Sequence, residues 1–146
     1  MIQQARFWSI RFGALTLFAI AFLSIVQCTS KGKSRDVDAK EADGLVRNRL
    51  AVLVDVREAD EVKASGIAQG ALWFPTSKVK ENGADWAKFK ETLPKDKMVV
   101  LYCAAGGRAG SIAKDLAAQG YQTGNMGGFS DWQKAGLPSQ PFAGVP

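Results

Sequence analysis

The sequence has no histidine and only two cysteines among its 146 residues. Without histidine, Cys-His and Ser-His catalytic pairs and His-ligated metal sites are excluded. Two cysteines are too few for a cysteine-rich zinc or iron–sulfur site, so we expect no metal and no cofactor. If a cysteine is reactive here, backbone amides and arginine or lysine must supply the positive field that stabilises its thiolate.

A basic stripe with interleaved aromatic residues is also missing, which argues against nucleic-acid binding. The formal net charge is +5, but two of the 19 basic residues, Arg6 and Arg11, lie within the first 28 residues. The rest of the chain carries 17 basic and 14 acidic residues. Behind a leader of this length, about 105–115 residues remain, which is enough for one compact domain.

The first 28 residues have the composition of an export signal. Arg6 and Arg11 make its start positive, and residues 12–26 are uncharged and mostly apolar. This run is short for a membrane-spanning helix, which needs roughly 17–25 residues, and is typical of the core of a secretory signal. Cys28 follows almost at once, so the segment resembles the lipobox of bacterial lipoproteins, although Gln27 replaces the usual small residue.

The lipobox resemblance implies that Cys28 is lipidated and becomes the mature N-terminus, which would anchor the protein to a membrane. An uncleaved anchor and soluble export after cleavage elsewhere are the alternatives. All three place the domain outside the cytoplasm, in the periplasm or cell envelope of a bacterium. We expect residues 29–36 to form a flexible tether, residues 37–140 the domain and residues 141–146 a tail.

Beyond the tether, short apolar runs alternate with amphipathic helical patterns. Strands are predicted over 51–56, 71–75, 98–103 and, more weakly, 121–126. Helices are predicted over 38–49, from 57–61 onward, and over 85–93, 108–119 and 129–136, with a polar loop over 78–84. Strand–helix alternation with short connections predicts an α/β fold, in which helices cover both faces of a parallel sheet.

The stretch from Met98 to Arg108 carries the strongest indication of chemistry. An apolar strand runs into Cys103, and Arg108 begins a helical pattern. The loop between them consists of Ala104, Ala105, Gly106 and Gly107. Inward-facing amides at a helix N-terminus stabilise a thiolate, and Arg108 adds a cation that can grip an oxyanion. The alternative is a buried, inert cysteine, which would explain neither the glycines nor the arginine.

Asp55 ends the first predicted strand. It therefore lies at the carboxyl edge of the sheet, where open α/β sheets place their sites. It is either a helix cap or turn former or a support for the loop of Cys103, and the two roles are compatible.

Five elements, in order, resemble the rhodanese sulfurtransferase family. They are its D-x-R-E element at 54–58, its G-H-I-P-G-A turn at 66–71, its C-x-x-G-x-R active loop at 102–108, its G-Y pair at 120–121 and its G-G-x-x-x-W signature at 127–132. The resemblance covers residues 37–138 and implies a five-stranded parallel α/β domain. A monomer is expected.

The resemblance also implies a double-displacement reaction. Cys103 would take the outer sulfur of a small donor, such as thiosulfate or a polysulfide, and pass it as a persulfide to a thiol or cyanide acceptor. The amides from Ala104 to Arg108 would cradle the persulfide, and Arg108 would orient the donor. Asp55 and Arg57 would support the loop from behind.

Departures from the family pattern affect two expectations, the packing of the turn and the binding of thiosulfate. Ile67 and Gln69 replace the histidine and proline of the turn, where we expect altered packing. Ala104 stands where many thiosulfate-using members carry a charged residue, so weak binding of thiosulfate is expected.

The C-x4-R spacing is one residue shorter than that of phosphatases and arsenate reductases, which favours sulfur transfer over those activities. A non-enzymatic sulfur-binding or docking module is the other alternative.

Overall fold

The computed structural model describes residues 32–144. The predicted signal with Cys28, residues 29–31 of the tether and residues 145–146 of the tail lie outside the described residues, and what the sequence indicates for them stays a prediction. Within 32–144, no helix is both long enough and apolar enough to cross a membrane.

Strands and helices alternate along the described chain. The strands are β1 (Ser34–Asp36), β2 (Ala51–Asp55), β3 (Ile67–Ala68), β4 (Leu72–Trp73), β5 (Met98–Cys103), β6 (Gln122–Gly128) and β7 (Ser139–Gln140). The helices are α1 (Ala39–Arg47), α2 (Ala59–Ser65), α3 (Thr76–Glu81), α4 (Ala84–Thr92), α5 (Gly107–Ala118) and α6 (Phe129–Lys134).

Five of the strands form one parallel sheet, in the order β1-β6-β5-β2-β4. The strand that carries Cys103 lies at its centre, between β6 and β2. Because all five strands run the same way, the loops that follow them meet at one edge of the sheet. The predicted fold class, an α/β domain with a five-stranded parallel sheet, is confirmed.

Two apolar cores cover the two faces of this sheet. Residues of α1 and α6 pack on one face, and residues of α4 and α5 pack on the other. Strand β5 contributes to both, since Val100 and Tyr102 face the first core while Val99, Leu101 and Cys103 face the second. This alternation follows from the two-residue period of a strand and explains why a strand buried on both faces is nearly all apolar.

The first strand departs from the predicted tether. Residues 34–36 are all exposed, yet they pair with β6 along the edge of the sheet. The Thr123 N–H donates to the Lys33 carbonyl at 2.8 Å, and the Val37 N–H donates to the Asn125 carbonyl at 3.0 Å. The pairing is made by backbone groups, which polar residues offer as well as apolar ones do.

Other local predictions also change. The predicted polar loop over 78–84 is wrong in its first half, where α3 extends to Glu81 and ends at Asn82 in the left-handed conformation. Strands β3 and β7 form a small antiparallel pair that no sequence pattern indicated. The start of α1 agrees with the predicted helix, because Asp38 caps it by accepting from the Glu41 N–H at 2.9 Å.

Candidate active site

Cys103 is the last residue of the central strand, and its side chain is buried. The chain then bends through Ala104, Ala105 and Gly106 before α5 begins at Gly107. The Gly106 N–H donates to the Cys103 Sγ at 3.1 Å. The sulfur therefore sits inside the turn that joins strand to helix, at the N-terminal end of a twelve-residue helix.

The loop alters the acidity of this thiol. Burial is the largest single influence on the Cys103 pKa and acts to raise it, because a thiolate loses solvation inside the protein. Backbone amides oppose burial and together outweigh it, so the pKa of Cys103 is lowered. These amides belong to Ala109, Ala105, Gly106 and Arg108. Ala109 was not among the predicted loop amides, and the amides of Ala104 and Gly107, which were, are not among those that lower the pKa.

Two glycines make this tight turn possible. Gly106 has a φ of 87°, in the left-handed region that glycine adopts without strain. Gly128, at the end of β6, lies directly against the loop, and a Cβ there would come within 2.5 Å of the Ala104 carbonyl oxygen. The position of the loop therefore depends on a close backbone approach from the neighbouring strand.

Arg108 lies in the first turn of α5 and forms a paired contact with Glu61. Its Nη1 donates to Glu61 Oε2 and its Nη2 donates to Oε1, both at 2.7 Å. About a third of each side chain is exposed. The Arg108 hydrogen bonds hold the pKa of Glu61 at about 2, against burial, and Glu61 in turn raises the pKa of Arg108. The Cys103 sulfur adds to that second effect, which places the guanidinium within electrostatic reach of the thiol.

Sequence reasoning did not assign a role to Glu61. By sequence it is only an acid near the start of a predicted helix, where the helix dipole favours a carboxylate. Glu61 and Arg108 are 47 positions apart, and only the packing of α2 beside α5's N-terminus brings them together. The one local signal is the position of Glu61 shortly after β2, at the same edge of the sheet as the loop.

Asp55 and Arg57 form a buried ion pair at the end of β2. Arg57 Nη2 donates to Asp55 Oδ2 at 2.6 Å, and the Arg57 N–H donates to Oδ1 at 2.9 Å. The guanidinium also donates to Ser65 Oγ and to the Gly66 carbonyl, each at 2.7 Å, and lies 4.0 Å from the centre of the Phe129 ring. Within the described residues, the side-chain contacts of both residues are with each other, α2, Tyr102 and Phe129, and none reaches residues 103–108, so their support of the loop stays a prediction.

Tyr102 connects this buried pair to the reactive strand. Asp55 is its partner in the β2–β5 register, and Tyr102 immediately precedes Cys103. Burial, and after it the charge of Asp55, raise the pKa of Tyr102, so its hydroxyl stays neutral. That hydroxyl accepts a hydrogen bond from the Ala68 N–H at 3.1 Å.

The turn at 66–71, where altered packing is predicted, has its own set of contacts. The Gln69 N–H donates to the Pro138 carbonyl at 3.0 Å. Proline has no N–H and could not make this bond. The buried side chain of Ile67 belongs to the first core. The turn is tied to the end of the chain through β3 and β7 rather than to the loop of Cys103.

The two flanks of the active loop differ. On the β2 side stand Glu61 and its partner Arg108. On the β6 side an open groove of about 1220 Å³ runs past Gly106 and Gly107 toward β1 and α1. Within residues 32–144, no group of three or more acidic or cysteine side chains is arranged to hold a metal ion.

Comparison with known proteins gives one consistent result. The profile of the family described as "Rhodanese-like domain" matches residues 38–135. The thiosulfate sulfurtransferase GlpE of Actinobacillus succinogenes is 34% identical over 112 residues, which cover 75% of this chain and 94% of that protein. The thiosulfate sulfurtransferase GlpE of Coxiella burnetii is 32% identical over 101 residues, covering 68% of this chain and 87% of that protein.

Solved structures agree with the sequence relatives. A rhodanese-related protein from Thermoplasma volcanium superposes with a TM-score of 0.61 at 25% identity, covering 74% of this chain and 99% of that one. The matched segment contains the central strand, the loop of Cys103 and the helix that follows. The chain therefore belongs to the rhodanese-like domain family.

Proposed function

We propose that the protein is a sulfurtransferase that moves a sulfane sulfur from a thiosulfate-type donor, through a persulfide on Cys103, to a thiol or cyanide acceptor. The observation that carries this proposal is the buried Cys103 sulfur within a turn whose amides lower its pKa. The two relatives named as thiosulfate sulfurtransferases support the choice of donor.

The first half-reaction is a displacement at sulfur. The Cys103 thiolate attacks the outer sulfur of thiosulfate, an S–S bond forms to Cys103, and the S–S bond within thiosulfate breaks. Sulfite leaves with the bonding electron pair and carries two negative charges. The new persulfide carries one, so the total charge of thiolate and thiosulfate is conserved. The amides that stabilise the thiolate also suit the persulfide anion, because both place negative charge on sulfur in the turn.

The second half-reaction restores the thiolate. A nucleophile such as cyanide or a thiolate attacks the terminal sulfur of the persulfide and forms a new bond to it. The S–S bond to Cys103 breaks, and its electron pair returns to the Cys103 sulfur. The products are thiocyanate or a new persulfide, and no outside oxidant or reductant is consumed.

The structure also bears on the rivals. The turn places four residues between Cys103 and Arg108, and the Gly106 N–H donates to the sulfur itself at 3.1 Å. A turn closed on one sulfur atom fits a sulfane sulfur better than the four oxygens of a phosphate or arsenate.

Mass spectrometry of the full chain after treatment with thiosulfate tests the proposal. We expect a mass increase of one sulfur atom, located on the peptide that contains Cys103, and its loss with release of thiocyanate on addition of cyanide. In Cys103→Ser the adduct and the thiocyanate should both disappear. Peptide mapping separates Cys103 from Cys28, and an adduct confined to Cys28 would contradict the proposal.

A further inference from the structure

The paired contact between Arg108 and Glu61 bears on which donors the site accepts. Arg108 is the only charged residue between Met98 and Ala113. Arg57 is the second arginine nearby, and its guanidinium is occupied by Asp55, Ser65 and Gly66. On the β2 side of the Cys103 loop, a donor would therefore meet Arg108 as the nearby cation, whereas Lys114 and Arg35 line the groove on the β6 side.

The contact with Glu61 occupies the part of Arg108 that a donor would use. Two parallel N–H···O bonds to a carboxylate employ the planar fork of the guanidinium, which is the same fork that grips a sulfonate. Both distances are 2.7 Å, so the two terminal nitrogens of Arg108 are engaged. The remaining N–H directions can still donate, but the charge is already balanced by a carboxylate.

Glu61 is held in place by its own helix. Its Oε2 also accepts from the Glu58 N–H at 2.9 Å, which forms the capping box at the start of α2. The carboxylate is thus fixed between the first turns of α2 and α5. Its pKa of about 2 keeps it ionised at neutral pH.

We propose that Glu61 determines donor specificity by neutralising Arg108, so that the site favours thiosulfonate-type donors with one negative charge over the thiosulfate dianion. This inference rests on the proposed function and narrows its donor class. The thiosulfate dianion gains little attraction from Arg108 when Glu61 balances its charge, and the Glu61 carboxylate repels it. A monoanion that carries its sulfane sulfur on an organic sulfonyl group meets less repulsion.

Benzenethiosulfonate is a suitable probe because its chemistry matches that of thiosulfate. The Cys103 thiolate attacks its outer sulfur, the S–S bond breaks, and benzenesulfinate leaves with the electron pair. Benzenethiosulfonate brings one negative charge and benzenesulfinate carries one away. The persulfide left on Cys103 is therefore the same as the one formed from thiosulfate. The two donors differ in the charge and the organic group of their tails.

The test compares steady-state kinetics of the full chain and Glu61→Gln with the two donors and a common acceptor, cyanide. Glutamine keeps an oxygen for the Glu58 N–H but removes the charge that balances Arg108. We expect the KM for thiosulfate to fall about ten-fold, which corresponds to about 1.4 kcal/mol. The KM for benzenethiosulfonate should change less than about two-fold, and kcat should change little with either donor.

Asp60→Asn is the matched control. It removes one negative charge at the neighbouring position of α2, where the side chain is exposed and makes no hydrogen bond within the described residues. Its KM for thiosulfate should stay within about two-fold of the wild-type value. An equal fall in both variants would mean that overall charge, not the pair with Arg108, governs the donor, and would overturn the inference.

A double-mutant cycle tests the dependence on Arg108. In an Arg108→Gln background, Glu61→Gln should change the KM for thiosulfate less than about two-fold, because the cation it would release is gone. A ten-fold fall in that background would contradict the proposal. So would equal changes for both donors in the single variant, since these would indicate a general shift of the loop.

The wild-type protein provides a measurement that needs no variant. Because Glu61 balances the charge of Arg108, the wild-type KM for thiosulfate should rise only slightly with ionic strength. An unpaired Arg108 would give a steep rise. A steep rise in the wild type overturns the inference while persulfide formation on Cys103 still supports the proposed function. Absence of a Cys103 adduct with both donors overturns the proposed function itself and this inference with it.

Discussion

At the scale of single residues, the chemistry of Cys103 depends on the backbone of its neighbours. No imidazole base can stand beside the thiol, since the sequence has no histidine. The amides of the turn and of the first residues of α5 outweigh burial and favour the thiolate. Such amides are effective only at close range, so the exact path of the loop matters more than the side chains that it carries.

Gly128→Ala tests this dependence. The added Cβ would lie 2.5 Å from the Ala104 carbonyl, so the loop must shift. A misplacement of about 1 Å at a reacting group can cost about 100-fold in rate, and we expect sulfur transfer to fall by at least about ten-fold. In the wild type, alkylation of Cys103 should have its midpoint below the value of about 8.5 for a free thiol. In Gly128→Ala that midpoint should rise, because the amides no longer converge on the sulfur.

Gly44→Ala serves as its control. Gly44 lies within α1, and a Cβ there meets nothing within 4 Å. Replacing an interior helical glycine by alanine is favourable by roughly 0.5–1 kcal/mol, so stability should rise and the alkylation midpoint should not move. A normal midpoint in Gly128→Ala would mean that the approach of β6 does not position the loop.

At the scale of elements, the ion pair of Asp55 and Arg57 fastens three parts of the fold together. The pair begins at the end of β2, continues through Ser65 and Gly66 at the end of α2, and reaches Phe129 at the start of α6. Asp55 is completely buried and Arg57 nearly so. Arg57 therefore positions the helix that carries Glu61 relative to the sheet that carries Cys103.

Asp55→Asn should be strongly destabilising. It leaves the Arg57 guanidinium buried beside a neutral amide, and breaking a buried pair in this way costs about 3–5 kcal/mol. Urea unfolding followed by tryptophan fluorescence measures the change in the free energy of unfolding. Glu81→Gln removes the partner of Lys78 on α3, where both side chains are about half exposed, and should cost only about 0–1 kcal/mol. Similar losses in the two variants would contradict a special role for the buried pair.

At the scale of the whole molecule, the parallel sheet decides where the site lies. Its central strands β5 and β2 end at the same edge, so Cys103, Arg108 and Glu61 meet there although they are distant in sequence. The ion pair that spans α2 and α5 should also leave a signature in the acid stability of the domain.

The free energy of unfolding of the domain should include a contribution from ionised Glu61 that is lost at acid pH. The ordinary pKa of a glutamate is 4.5, and Arg108 lowers that of folded Glu61 to about 2. Unfolding therefore takes up a proton in this interval, and the contribution of the pair is complete above pH of about 4.5 and lost as the pH falls through about 2. Because the pair is partly exposed, we expect only about 0–1 kcal/mol at neutral pH.

Urea unfolding of the wild type and Glu61→Gln at a series of pH values measures this contribution. The difference in the free energy of unfolding should be constant near neutral pH and should shrink toward zero between those two pKa values. Asp60→Asn, which removes one charge from a side chain without a hydrogen-bond partner within residues 32–144, is the matched control. A difference that grows on acidification would contradict the assignment of the lowered pKa to this pair.

The sequence by itself determined the parallel α/β class, most of the strands and helices, and the turn that holds Cys103. These features are local, because burial on both faces makes β2 and β5 apolar, and a glycine-rich connection between strand and helix is visible in a short window. The order of the motifs also identified the family. Strand β1 was not predicted, because its three exposed residues carry no apolar signal. They owe their pairing to the backbone edge of β6.

Only the tertiary structure decided what the charged side chains do. Nothing in the sequence shows that Arg108 is paired with Glu61, or that Arg57 reaches Ser65, Gly66 and Phe129. The partner of a charged side chain depends on which helix packs beside it, and helix packing is set by contacts across the whole domain. The sequence thus located the reactive thiol, and the fold determined the electrostatic environment in which it meets its donor.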